Sequence, residues 1–155
     1  MAQNKQLNNR ECKELISLFK GFGIDLSKYK KFELIFDKVN ILFADKTIIG
    51  FFSGNAYFPS LKLLINENPT IPCVYIDLGA IPHITKGADL MRPGLKEFDI
   101  FEKGQLVIIK DVIHKKPIAL GIAEYSSEEI KQLEKGKVIN NIHYVGDFVW
   151  NYQNK

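Results

Sequence analysis

Cysteine, histidine and tryptophan are scarce in this chain: two, three and one among 155 residues. Cys12 and Cys73 form no Cys-x-x-Cys pair and have no histidine at ligand spacing. A disulfide framework or a zinc cluster therefore lacks its residues, and two buried, reduced thiols are expected. His83, His114 and His143 lie apart, with no His-Glu-x-x-His run. The glycine-rich Lys-Ser/Thr loop that cradles nucleotide phosphates is absent. Ser53-Gly54 also lacks the leading residues of a nucleophile elbow. Asp77 and Asp89 are carboxylates with nothing in the sequence to raise either pKa, so general acid–base work has no candidate pair. No catalysis, metal or cofactor is expected. No apolar run approaches the roughly 18 residues of a membrane span. The start, MAQNKQLNNRECKEL, has no apolar signal core. A cytoplasmic protein without a membrane partner is expected.

What is present is globular: 46% hydrophobic and 25% charged residues, too apolar for wholesale disorder. A chain of this size buries roughly 70% of its unfolded surface, enough for one ordinary domain or two small ones. The net charge of +3 is uneven. Residues 1–75 carry 10 Lys/Arg against 7 Asp/Glu, whereas residues 76–155 carry 11 of each. An anion-binding face in the second half must therefore come from local clustering, with the acids placed elsewhere.

Along the chain, Cys12, Leu15, Ile16 and Phe19 repeat at helical spacing and predict a helix over Asn9 to Lys20, ended by Gly21 and Gly23. Phe32, Leu34 and Phe36 alternate as in a half-buried strand. Val39 to Ala44 and Thr47 to Phe52 read as a hairpin through Asp45-Lys46, without the Asn-Gly signature that would set its register. Pro59 is expected to open a helix whose apolar face is Leu61, Leu64 and Ile65. Pro69 and Pro72 bracket a short bridge, which divides the chain into an N-terminal domain, 1–71, and a C-terminal domain, 72–155. The second domain is expected to be mainly strands: Cys73 to Leu78, Asp89 to Leu95, Gln105 to Val112, Pro117 to Tyr125, Val138 to Val145 and Phe148 to Gln153. A capped helix interrupts them after Ser126 or Ser127. Many short strands with close turns indicate a small closed barrel, with Tyr144 and Trp150 closing it.

The candidate site lies in Leu78 to Leu95, LGAIPHITKGADLMRPGL. Small residues at Gly87-Ala88 read either as a tight turn closing a helix or as main chain left open to an approaching phosphate or ribose. Lys86 and Arg92 flank the opening, and a guanidinium can fork onto a phosphate. Asp89 is expected to hold the corner by accepting main-chain N–H groups, the alternative being a bond to a ribose hydroxyl or an unpaired base amine, while Pro93-Gly94 breaks the second strand. Lys115-Lys116 is a basic turn that reads either as a solvated edge or as a further contact. Lys28, Lys30 and Lys31 around Tyr29 form the other basic cluster, equally open as solvated loop or auxiliary contact.

These motifs resemble a PUA domain, carried by Asp77-Leu78-Gly79-Ala80, Gly87-Ala88-Asp89, Arg92-Pro93-Gly94, Gly121 and the terminal Asn141-Ile142-His143-Tyr144 through Trp150. With the tyrosine-proline helix start Tyr57-Phe58-Pro59-Ser60-Leu61-Lys62-Leu63-Leu64, the whole chain resembles the short archaeal relatives of the malignant T-cell amplified sequence family of translation factors. The resemblance implies an α+β architecture, a small N-terminal α/β domain packed against a C-terminal pseudo-barrel of about six strands. It implies a non-catalytic RNA-binding protein of translation that holds structured RNA, a tRNA acceptor end or ribosomal RNA, in a groove. That groove would be formed by Lys86, Gly87, Ala88, Asp89, Arg92, Pro93 and Gly94, with Lys115 and Lys116 beside it. The small ribosomal subunit and a translation-factor protein are the implied partners. A protein-interaction adaptor, or a specificity subunit for a separate RNA-modifying enzyme, are the alternatives. Eukaryotic members tend to have longer N-terminal regions and to pair with density-regulated protein; the compact start here departs from that pattern.

Overall fold

The computed structural model describes residues 3–153 and divides into two compact units, Met1–Thr70 with Phe148–Lys155, and Ile71–Asp147. The first unit is built on an antiparallel sheet of β1 (Gln3–Gln6), β2 (Phe32–Phe36), β3 (Asn40–Ala44), β4 (Thr47–Ser53) and β5 (Ala56–Pro59), arranged in chain order. The β3–β4 turn explains its missing Asn-Gly signature. Asp45 and Lys46 both take positive φ, 45° and 72°, the geometry such a turn demands. The Asp45 carboxylate holds it by accepting from the main-chain N–H groups of Lys30 and Lys31.

Helix α1 (Asn9–Gly21) begins in a reciprocal cap: Asn8 accepts from Glu11 N at 2.9 Å while Glu11 accepts from Asn8 N at 3.0 Å. Its buried residues are Leu15 and Phe19, from the stripe read in the sequence. Helix α2 (Leu61–Asn66) is capped by Ser60, so Pro59 ends strand β5 and does not open the helix. Strand β1 gave no sequence signal because all four of its side chains, Gln-Asn-Lys-Gln, are polar and exposed.

The terminal segment overturns an expectation. Phe148–Asn151 is a short helix (α5), not a strand, and groups with the first unit. Tyr152 stacks edge-on with Phe43 and Phe148, at 6.2 and 5.5 Å between centroids. The Lys62 ammonium lies 5.0 Å from the Trp150 ring centre. Trp150 thus belongs to the first unit.

The second unit is a six-stranded sheet in the order β7-β11-β10-β9-β6-β8. Its strands are β6 (Cys73–Ile76), β7 (Leu90–Met91), β8 (Leu95–Phe98), β9 (Leu106–Asp111), β10 (Pro117–Ala123) and β11 (Lys137–Tyr144). All its pairs are antiparallel except β6–β9. The two outermost strands, β7 and β8, follow one another in the chain. A 3-10 turn at Arg92–Gly94 joins them, so the sheet curls into a nearly closed pseudo-barrel. One strand expected over Asp89 to Leu95 is therefore two strands and a corner; Pro93 has no N–H to continue a ladder. Val74, Ile76, Leu90, Leu95, Val107, Ile109, Val138 and Ile139 fill the interior, with Ile84 of α3 (Ile81–Ile84) and Ile130 of α4 (Ser127–Lys131).

Gly121 marks the tightest approach in that core. A Cβ there would sit 2.4 Å from Ile139 Cγ2 and 2.8 Å from the Asn140 carbonyl oxygen, beside a β10–β11 irregularity at Leu120/Gly121. Gly121→Ala should lower unfolding stability by about 1–3 kcal/mol, the usual cost of overpacking. Urea titration should show the midpoint fall with the slope unchanged.

Candidate nucleic-acid interface

Asp77 starts the site by capping a 3-10 turn, Leu78–Ala80, through its carboxylate and Ala80 N at 2.9 Å. Helix α3 continues from it, and the chain then closes tightly on itself. Lys86 N donates to His83 O, Gly87 N to Ile84 O at 3.0 Å, and Ala88 N to His83 O at 3.1 Å. The Gly87 and Ala88 amides are thus spent within the fold, and the expected main-chain grip on a phosphate has no free donors at these two residues. Gly87 is required for other reasons. Its φ is +96°, and a Cβ would meet the Tyr144 ring at 3.3 Å.

Asp89 behaves as the sequence suggested, accepting from Asn141 N at 2.8 Å. Asn141 returns the tie, donating from Nδ2 to Ile84 O and Ala88 O, both at 3.0 Å. Lys137 lies between Asp89 and Glu124, at 3.4 and 3.1 Å, and the two carboxylates leave this stretch net negative. Hydrogen bonding to Glu124 holds the Lys137 ammonium pKa above its ordinary value.

The structure separates the two cations expected to flank one groove. Register pairs Met91 with Lys137, whereas Gly87 faces the Tyr144 ring at the other end of β11. Lys86 and Arg92 therefore sit toward opposite ends of this strand, with the acidic stretch between them. Arg92 is also occupied: Nε donates to Ile130 O at 3.0 Å and Nη1 to Leu95 O at 3.2 Å, with the guanidinium 5.8 Å from the Phe98 ring centre. It clasps the β7–β8 corner, and its Nε–Nη edge is closed to a phosphate fork. Gly94 backs the 3-10 turn, where a Cβ would lie 3.3 Å from Ala80 Cβ.

Lys115 and Lys116 lie at the Lys86 end. Their turn follows β9 and leads into β10, where Ala119 pairs with Tyr144. Asp111 organises it, accepting from the main-chain N–H groups of Ile113, His114 and Lys116. Lys115 takes positive φ, 57°, and its ammonium lies 4.3 Å from the Tyr75 ring centre and 3.9 Å from Glu97. Lys116 and Lys86 are exposed, and neither ammonium has an ion-pair partner among the described residues. Burial raises the Asp111 pKa, but the three main-chain donors outweigh it, and the net direction is downward. The stability Asp111 contributes is therefore full above the ordinary carboxylate range and is lost as pH falls through its depressed pKa. Asp111→Asn should flatten the acid limb of a stability-versus-pH curve while leaving the alkaline limb unchanged.

Against this geometry stand the comparisons with known proteins. A PUA domain model matches residues 72–145. An uncharacterized protein of Methanocaldococcus jannaschii is 38% identical over 91% of this chain and 88% of its own length. Translation machinery-associated protein 20 of Saccharomyces cerevisiae is 33% identical, covering 75% of this chain and 68% of that protein. Malignant T-cell-amplified sequence 1 of Rattus norvegicus is 33% identical over 61% of this chain and 54% of its own length. The chain belongs to the malignant T-cell-amplified sequence family. A PUA domain protein from Thermoplasma acidophilum superimposes over 95% of this chain and 97% of its own, with a TM-score of 0.78 at 29% identity.

PUA is an RNA-binding fold, and in this member of the malignant T-cell-amplified sequence family the matched region begins one residue after Ile71, where the second compact unit starts. Three features of its surface escaped the sequence reading. Tyr144 reaches the α3 corner, which depends on strand register. Leu78 and Ile113 are 49% and 61% exposed, each two residues beyond the paired residues Ile76 and Asp111 of the parallel β6–β9 pair. Residue type alone does not mark either as exposed, since each adjoins an apolar strand run. No helix among the described residues is long and apolar enough to cross a membrane.

Proposed function

We propose that this protein binds structured RNA of the translation apparatus at the barrel end formed by α3, the Lys86–Ala88 corner and the Lys115–Lys116 turn. One observation carries the reading: Lys86 and Lys116, neither with an ion-pair partner among the described residues, lie toward the same end of an RNA-binding fold. Duplex RNA offers side chains little readable base edge, so recognition there is by phosphate position and shape. Lys86 and Lys116 neutralise phosphates, Lys115 adds field while resting on Tyr75, and Gly87-Ala88 forms a wall without bulk. Asp89 shapes the Lys86–Ala88 corner, while Arg92 and Pro93-Gly94 hold the separate β7–β8 corner that keeps the barrel closed. Counterion release from the neutralised phosphates supplies most of the affinity.

The yeast relative's name ties it to the translation machinery, which supports tRNA or ribosomal RNA, and the small ribosomal subunit, as the RNA partner. No step of this role calls for a catalytic group. Ultraviolet crosslinking of the protein in cell extract, followed by sequencing of attached fragments, tests the reading. Enrichment of tRNA or small-subunit ribosomal RNA over a crosslinked control protein is the expected result. Recovery of no RNA above that control would overturn it.

A further inference from the structure

Gly87 was read from sequence as a gap that admits an RNA backbone, yet the gap is already filled by Tyr144. The ring atoms Cε1 and Cζ and the phenol oxygen lie 3.3–3.4 Å from the point a Gly87 Cβ would occupy. Strand register sends Tyr144 there: it pairs with Ala119 of β10, and its main-chain N–H is held by the Asp147 carboxylate at 3.1 Å. The inner part of the side chain packs on the barrel core. The hydroxyl is different. It has no hydrogen-bond partner among the described residues, and it is not among the buried polar atoms left unsatisfied, so solvent reaches it. A buried phenol normally finds a partner; this one lies against Gly87, next in the chain to Lys86, whose ammonium has no ion-pair partner among the described residues.

We propose that Tyr144 is a further binding contact of the RNA site, its hydroxyl donating a hydrogen bond to the phosphate that Lys86 neutralises, with Gly87 as the seat that lets the ring reach it. The proposal rests on the RNA-binding reading above. It moves the corner's recognition from main-chain amides, which are spent on Ile84 O and His83 O, to a side-chain donor held in place by packing. A rigid ring loses little conformational freedom when it makes such a contact. The contact is neutral, so it adds affinity without releasing a counterion.

Tyr144→Phe keeps the ring and removes only the donor, which gives a test that a merely structural role does not move. With fluorescein-labelled unfractionated tRNA as probe, Tyr144→Phe should bind about three- to tenfold more weakly than the parent. The slope of log affinity against log salt should stay unchanged. Lys86→Ala should instead make that slope shallower by roughly 0.7–0.9, one phosphate's worth. A second readout needs no variant. Nitration of the parent by tetranitromethane, followed by mass spectrometry, should slow at least severalfold at Tyr144 when tRNA is saturating, while exposed Tyr125 reacts as before. Parent-like affinity of Tyr144→Phe, or equal nitration with and without tRNA, overturns the proposal and leaves the RNA reading standing. If the parent itself fails to bind tRNA, both fall.

Discussion

Reversing charge at Lys86 and Lys116 together, Lys86→Glu with Lys116→Glu, should weaken binding of unfractionated tRNA by about a hundredfold, ~2.7 kcal/mol. Each substitution removes one phosphate neutralisation and adds one repulsion. Neither ammonium has an ion-pair partner among the described residues to soften the change. Both side chains are exposed, so the fold should be indifferent, and the thermal midpoint should move by less than the error of a small surface change. The comparison that gives this result meaning is Lys115→Glu. That ammonium already lies near Glu97 and over Tyr75, so its reversal should weaken binding less than either reversal at its neighbours. Filter binding of the parent, Lys86→Glu, Lys116→Glu, their combination and Lys115→Glu decides it. Equal losses at Lys115 and Lys116 would mean that general field, and not the uncompensated positions, governs affinity.

Arg92→Ala should produce the opposite pattern, a large loss of stability with RNA affinity retained by the folded fraction. Its side chain bonds two main-chain carbonyls, Ile130 O and Leu95 O, and its main-chain N–H bonds Gly136 O at 2.8 Å. Truncation keeps the last bond and removes the first two, together with the stem packing beside Phe98. Charged donors to main-chain acceptors contribute about 1.5–3 kcal/mol each, but the group is only half-buried and solvent replaces part of the loss. A fall of about 2–4 kcal/mol in unfolding free energy follows. Arg92→Lys should recover little of it, because one ammonium cannot span two carbonyls held in a fork's geometry. Denaturant unfolding with parallel tRNA titration separates the two quantities.

That contrast also shows how far the amino-acid order could be read. Elements with a clean period were legible: Leu15 and Phe19 on α1, the alternation in β2, and the apolar β9 and β10. The barrel followed from the number of short strands. Strand β1 was invisible because its four polar residues hold their place by pairing with β2, not by burial. The segment Phe148–Asn151 was misread because four residues are too few to distinguish a helical from a strand period.

At the site, local chemistry was legible and pairing was not. Asp89 as a corner holder follows from its residue type, and its carboxylate accepts from Asn141 N. That Arg92 points to the α4 carbonyl of Ile130, 38 residues away in sequence, is a consequence of how β7 and β8 close the barrel. Gly87 reads from sequence as a tight turn or as room for a phosphate; in the structure it turns the chain at φ +96° and Tyr144 lies against it. A glycine states that something comes close; only the fold says what.

The salt dependence of tRNA affinity, measured for the parent and for Lys86→Ala with Lys116→Ala, tests the account most directly. For the parent, log affinity should fall linearly with log salt between about 50 and 200 mM. The double variant should be shallower by roughly 1.4–1.8, the loss of two phosphate contacts. A parent affinity that survives the added salt would point instead to docking through Leu78 and Ile113. Identical slopes in the two proteins would place the RNA somewhere other than this end of the barrel.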